Sequence, residues 1–204
     1  MLAAALLFFL VRPAWALEAG DVKKATDKVG NWLIEQYDVK EKAFKGEQGK
    51  DVKTVAMIIY ALCKSPREYR ETNGPFISEP VKFLISQMKE DGTFANPELN
   101  KTDAAVWVGV AFEATGNAKY KPLLEKMAKV KTAEPEKPNT ELKANLLILQ
   151  AAAWDAEIGE RKDQAGEIAE KALKLRQKNG SFGEDLQANA MALDILTLCY
   201  KALK

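Results

Sequence analysis

One pattern, carried by residues 81–114, constrains the fold of this chain more than any other. An amphipathic segment ends at Asp91-Gly92, the aromatic Phe94 follows, and a more apolar segment then spans Thr102–Thr115. In both segments the apolar residues recur three and four positions apart, which predicts helices. A Gly just after such a run is typical of a helix end. The stretch therefore predicts two helices joined by a turn and a short loop, an αα-hairpin.

The same order of segments recurs along the chain. An amphipathic segment precedes an apolar one four times, and the eight predicted helices are Asp21–Tyr37, Val52–Cys63, Phe76–Lys89, Thr102–Thr115, Tyr120–Val130, Thr140–Ala156, Lys162–Gln177 and Asp185–Leu203. The apolar helices start at intervals of roughly 40 to 50 residues, and a period of that length is typical of helical solenoids and rings. No segment alternates apolar and polar residues with period two, so no sheet is predicted. The amphipathic helices are expected outside and the apolar helices inside, between their neighbours.

Two of the predicted turns carry a motif of a known family. The motifs read Phe83-Leu84-x2-Gln87-x4-Gly92-x-Phe94 and Gln177-x2-Gly180-x-Phe182. They resemble the repeat of the squalene-cyclase and protein-prenyltransferase superfamily, although this chain has Phe where the family has Trp and its third hairpin lacks the motif. The resemblance covers residues 22–203 and implies an all-α fold class, with four αα-hairpin repeats forming a partial α/α toroid of the terpenoid cyclase and prenyltransferase type. It also implies that the Gln side chain caps the end of a neighbouring helix.

The resemblance does not extend to the catalytic motifs of that family. Its cyclases use an Asp-rich loop and its prenyltransferases hold zinc with Asp, Cys and His, but the Asp-rich patterns are missing and the chain contains no histidine. Without histidine the chain lacks the usual near-neutral acid–base residue and the most common metal ligand. A Ser-His-Asp triad, a Cys-His pair and a zinc site of the His type are therefore excluded, and we predict neither a metal nor another cofactor.

The N-terminal segment has the features of a signal peptide. Leu2–Val11 is an unbroken apolar run, shorter than the roughly 20 residues that cross a bilayer, and Ala14 and Ala16 supply the small residues of a cleavage site. We predict a signal peptide over residues 1–16, with cleavage after Ala16, and a single mature domain over residues 17–204. A buried first helix is the alternative. The predicted location is the periplasm or the outside of the cell, with no stable membrane anchor after cleavage.

Four large residues on the predicted inner helices are candidates for an apolar binding pocket. They are Tyr60, Trp107, Phe112 and Met191. A lipid or an isoprenoid is the kind of ligand that such side chains would hold. The alternative is that they belong to the core, where residues of this kind are more often found.

The four acidic residues at the starts of the inner helices are candidates for a second site. They are Asp51, Asp103, Glu141 and Asp185. If they meet at one mouth of the fold, they would bind a cation or a polyol, or supply a carboxylate pair for glycoside cleavage. The alternative, which their repetition in every hairpin favours, is that each carboxylate stabilises the N-terminus of its own helix by about 0.3–1 kcal/mol.

The two cysteines lie near the ends of the first and last inner helices. An open arc would hold Cys63 and Cys199 further apart than the roughly 4.4–6.8 Å between Cα atoms that a disulfide requires. We therefore expect two buried thiols rather than a disulfide.

These observations favour binding over catalysis. Lys and Arg number 30 and Asp and Glu number 29, so no strong field attracts nucleic acid. The sequence predicts an exported, non-catalytic helical-repeat module that holds a protein partner or an apolar ligand. The alternative is a lyase or hydrolase that acts on a glycan or a terpenoid through carboxylates at the inner-helix N-termini. An open pocket with two carboxyl groups about 5–9.5 Å apart would favour that enzyme.

Overall fold

The computed structural model describes residues 17–129 and 137–204. These residues form eight α-helices, which are α1 (Ala19–Glu35), α2 (Val52–Lys64), α3 (Pro75–Ser86), α4 (Ala104–Ala114), α5 (Lys121–Met127), α6 (Glu141–Ile158), α7 (Lys162–Lys174) and α8 (Leu186–Leu203). The predicted all-α class is confirmed for this part of the chain, and each helix begins and ends within three residues of its predicted bounds. The predicted signal peptide, 1–16, and the predicted end of the fifth helix, Val130, lie outside the described residues.

One small sheet departs from the prediction of helices alone. Strand β1 (Tyr37–Asp38) pairs antiparallel with strand β2 (Ala43–Phe44), and the rings of Tyr37 and Phe44 meet edge to face at 5.5 Å. Lys42 has a φ of 53°, in the left-handed region, which reverses the chain direction just before β2. Strands of two residues are too short to show a period-two pattern, which is why the sequence does not reveal them.

The four apolar helices form an inner row. Within it α4 packs against α2, α2 packs against α8, and α8 packs against α6. The amphipathic helices cover this row from outside: α1 lies on α8, α3 on α2, and α7 on both α6 and α8. Since α2 and α8 have neighbours on both sides, nearly all their residues are buried, whereas α4 and α6 end the row and keep exposed faces.

The order of this row corrects one expectation. The first and last hairpins were expected to lie far apart, but α2 and α8 are neighbours, and the row ends instead at the second and third hairpins. Cys63 and Cys199, on α2 and α8, are both buried free thiols, as expected. Burial raises the pKa of Cys63 to about 11 and that of Cys199 to about 12, so both thiols are protonated and unreactive at neutral pH.

Gln87, a glutamine of the motif, and Gln36, at the corresponding place in the first hairpin, do not cap neighbouring helices. The Gln36 side chain donates to the carbonyl of Trp32 in its own helix, and the Gln87 side chain donates to the Ser86 hydroxyl at an exposed position. Both residues directly follow a helix, so their side chains fold back on that helix. The capping role implied by the resemblance is therefore wrong for these two side chains.

Asparagine side chains hold the aromatic turns instead. Asn100 accepts a hydrogen bond from the backbone N–H of Phe94 and donates to its carbonyl, at 2.9 and 3.3 Å. Asn189 likewise accepts from the N–H of Phe182, at 2.9 Å. Both phenylalanines are completely buried. The two hairpins with the shared motif are thus alike in their turn contacts, because each buried ring brings its polar backbone groups to an Asn partner.

Candidate functional site

The four inner helices and residues 137–139 line an open pocket of about 460 Å³ near the helix N-termini, here called the central cavity. Residues three or four positions apart lie on one face of a helix, and each inner helix turns one such face toward the cavity. Each face carries a polar residue in or just before the first turn and an apolar residue one turn further on. These pairs are Lys53 and Met57, Asp103 and Trp107, Lys143 and Leu147, and Gln187 and Met191. The cavity therefore has a polar rim above an apolar belt.

Two ion pairs, each with a buried lysine, lie at the rim. Lys53 lies 2.7 Å from Asp103 and links α2 to α4, and Lys143 lies 2.9 Å from Asp185 and links α6 to α8. Both lysine residues are less than a tenth exposed. A lysine near a helix N-terminus faces the positive end of the helix dipole, so each needs its carboxylate partner. The pairs fix the spacing of neighbouring inner helices at the mouth of the cavity.

Two of the predicted acidic residues cap their helices. Asp51 accepts a hydrogen bond from the backbone N–H of Thr54 at 2.7 Å, and Asp185 accepts from that of Ala188 at 2.9 Å. Burial would raise the pKa of Asp185, but hydrogen bonds from Lys143 and from the Ala188 N–H outweigh it, and the pKa is lowered. These contacts are those of ordinary N-caps.

The other two acidic residues differ from the caps and from each other. Asp103 precedes α4 without a capping bond and lines the cavity, paired with Lys53. Glu141 is exposed in the first turn of α6, where Thr140 is the capping residue. Of the four predicted acids, only Asp103 thus lines the cavity, so the structure does not gather them into one site.

The four predicted apolar site residues also lie in different parts of the structure. Trp107 and Met191 line the cavity. Tyr60 lies behind Trp107, with ring centres 6.0 Å apart in an edge contact. Phe112 is in the core, stacked on Tyr120 at 4.9 Å. Two of the four predicted residues are therefore in position to touch a ligand directly.

A buried polar pair lies below the belt. Gln150 lines the cavity one turn beyond Leu147, and its Nε2 donates to Oδ2 of Asp194 at 2.7 Å. Asp194 is 2 % exposed, and no described group lies within strict hydrogen-bond geometry of its Oδ1. Burial raises the pKa of Asp194 to about 6, although the bond from Gln150 and the nearby Trp154 side chain act in the opposite direction. This pair was not predicted as part of a site.

The described lining does not contain a pair of carboxylates. Asp103 is the one acidic side chain among the described residues that line the cavity, and it is ion-paired. In residues 17–129 and 137–204 no group of three or more acidic or cysteine side chains is arranged to hold a metal ion. None of the helices described is long and apolar enough to span a bilayer.

Comparison with protein-family models, with curated proteins and with solved structures finds no match to this chain. The resemblance noted above therefore rests on the turn motifs alone. The central cavity and the side chains that line it carry the functional conclusion.

Proposed function

We propose that this protein is an exported, non-catalytic binding module that holds a small apolar molecule in the central cavity. The observation that carries the proposal is the apolar belt of Met57, Trp107, Leu147 and Met191 beneath a polar rim. A volume of about 460 Å³ lies within the roughly 300–1,000 Å³ of small-molecule sites, which are mostly apolar with a few placed polar groups.

The charged side chains that the structure describes at the mouth are Lys53, Lys137 and Lys143, with the carboxylates of Asp103 and of Asp185, the partner of Lys143. An apolar body would occupy the belt while a polar or charged group of the ligand stays at the mouth among these side chains.

We also propose that the four hairpins form a partial α/α toroid of the squalene-cyclase and prenyltransferase type. The row of inner helices covered by amphipathic helices supports this arrangement. Apolar side chains exposed on α6 support it too, because Ile148, Trp154 and Ile158 are 68 %, 41 % and 75 % exposed. In a fuller ring a further helix would cover some of them.

Export is part of the proposal and rests on the sequence of residues 1–16. The alternative function, a lyase or hydrolase acting on a glycan or terpenoid, has less support. It needs two carboxylates about 5–9.5 Å apart, and Asp103 alone among the described acids lines the cavity, already paired with Lys53.

Native mass spectrometry tests the proposal, on protein that has been expressed with its own leader and then purified. We expect one small molecule per chain to co-purify and to be displaced by anilinonaphthalene sulfonate, an apolar probe with an acidic group. The probe should then bind the emptied protein with a stoichiometry of one. Failure of both the co-purified molecule and the probe to bind would contradict the proposed function.

A further inference from the structure

The Asp194 carboxylate holds the Gln150 side chain in one orientation. Binding of an apolar ligand in the belt would not by itself require this contact. An ionised carboxylate only accepts hydrogen bonds, whereas a glutamine amide donates through Nε2 and accepts through Oε1. Because Oδ2 of Asp194 takes the bond from Nε2, the Oε1 atom of Gln150 must point elsewhere. None of the residues that the structure describes donates to Oε1, and this oxygen is not among the buried, unpartnered atoms.

The position of Gln150 allows this oxygen to contact a ligand in the cavity. Gln150 lies one turn deeper than Leu147 on the same face of α6, and both line the cavity. A molecule seated in the apolar belt would thus reach the amide with its buried end. A hydrogen-bond donor at that end of the ligand would bond to Oε1 of Gln150, which otherwise has only water as a donor in a largely apolar space.

We propose that Gln150 is a specificity-determining residue of the central cavity and that its amide oxygen selects apolar ligands with a hydrogen-bond donor, such as a hydroxyl or N–H group. Asp194 is a positioning residue, since it acts on the ligand only through Gln150. The inference rests on the proposed binding function and adds the chemical class of the ligand's buried end.

The structural alternative is that Gln150 only satisfies the buried carboxylate. The carboxylate needs such a partner, because an unpaired buried charge is costly. That alternative predicts effects on stability and none on the choice of ligand. A ratio of affinities for two ligands of equal shape therefore separates the two explanations.

Indole and benzofuran form a suitable pair of probes, because they have nearly the same shape but indole offers an N–H donor where benzofuran has an acceptor oxygen. We expect the wild-type protein at pH 8 to bind indole about 3- to 10-fold more tightly, the effect of one neutral hydrogen bond. Titrations followed by ligand-detected NMR measure both dissociation constants.

Three variants and one control show which residue causes the preference for indole. Gln150→Leu should bring the ratio of the two constants to about one, and Gln150→Leu with Asp194→Leu should do the same while removing the unpaired carboxylate, so that the test survives if the single variant is unstable. Asp194→Asn should lower the ratio with Gln150 still present, since an asparagine accepts either orientation of the amide. Met191→Leu, which changes the belt and no acceptor, should keep the wild-type ratio.

Equal affinities in the wild-type protein would overturn the inference, as would a preference for indole that survives in the double variant. An unchanged ratio in Asp194→Asn would overturn the positioning role. If anilinonaphthalene sulfonate binds and the wild-type protein binds indole and benzofuran equally well, only this inference fails. If that probe and both bicyclic probes all fail to bind, the proposed function fails with it.

Discussion

At the residue scale, Asp51 and Asp185 offer a direct comparison. Both are N-caps, but Asp185 also holds the buried Lys143, whereas no basic residue in the described part of the chain pairs with Asp51. Asparagine caps about as well as aspartate. Any difference between the two Asp→Asn substitutions therefore reports the ion pair rather than the cap.

We expect Asp185→Asn to lower the free energy of unfolding by about 3 kcal/mol, because it leaves Lys143 charged and buried without its partner. Asp51→Asn should cost less than about 1 kcal/mol. Urea melts of both variants at neutral pH measure the difference. Equal losses would show that the rim ion pair contributes nothing to stability.

Asp194 makes the stability of the fold depend on pH, and the direction of that dependence follows from its pKa. Its pKa is raised to about 6 in the folded state, above the ordinary value of 3.8, so the folded state binds one more proton than the unfolded state between those pH values. Stability from this group is therefore greatest at low pH and falls as pH rises.

We expect the free energy of unfolding of the wild-type protein, relative to that of Asp194→Asn, to fall by about 2–3 kcal/mol between pH 4 and pH 7. Comparing the two proteins removes the contributions of other groups. Denaturation at several pH values measures the difference, and a pH-independent difference would mean that Asp194 is not shifted upward.

Residue type and helix position together pointed to two residues of the cavity lining. Trp107 and Met191 were identified because they are large residues on apolar helices, and both line the cavity. Gln150 and Asp194 were missed, although each interrupts an apolar run within its helix, residues 146–153 and 190–196. That interruption is a usable signal, because a polar side chain in such a helix needs a buried partner.

At the element scale, the turn at Gly92, between α3 and α4, packs against α5 of the third hairpin. Gly92 has a φ of +87°, and a Cβ added to it would lie 2.9 Å from both the Cβ of Lys126 and the backbone nitrogen of Met127. Both the backbone conformation and the close approach of α5 thus require glycine there. Gly166, inside α7, has neither constraint.

We expect Gly92→Ala to destabilise the protein by more than about 1 kcal/mol, since it adds strain and a steric clash. Gly166→Ala should stabilise it by about 0.5–1 kcal/mol through helix propensity. Thermal or urea melts test both changes, and two effects of the same sign would contradict the account of this turn.

The helices themselves were predictable because each has a strong apolar period and clear end signals. The neighbours of each helix were not, because periodicity tells which face is buried and not which helix buries it. The packing of α2 on α8 illustrates this limit. It depends on contacts between residues more than a hundred positions apart, such as the bond from the N–H of Leu186 to the Gln48 side chain.

At the scale of the whole molecule, the first and last hairpins meet through α2 and α8. If the proposed export is correct, the mature protein begins at Leu17. N-terminal sequencing of protein expressed with its leader measures this. A soluble, exported form that retains Met1 would contradict cleavage after Ala16.

The central claim is that the cavity between the inner helices holds an apolar ligand, and two neighbouring residues of α6 allow it to be tested. Leu147 lines the cavity and is 44 % exposed, so a larger side chain has room to enter it. Ile148 is 68 % exposed and does not belong to the lining. Tryptophan at each position makes the same change of size on the same helix.

The most direct measurement is a fluorescence titration of anilinonaphthalene sulfonate against the wild-type protein, Leu147→Trp and Ile148→Trp. We expect Leu147→Trp to weaken binding by about tenfold, or about 1.4 kcal/mol, because the new ring fills the belt, and Ile148→Trp to leave the dissociation constant unchanged. Equal affinities for all three proteins, or equal losses in the two variants, would show that the probe binds elsewhere and would contradict the claim.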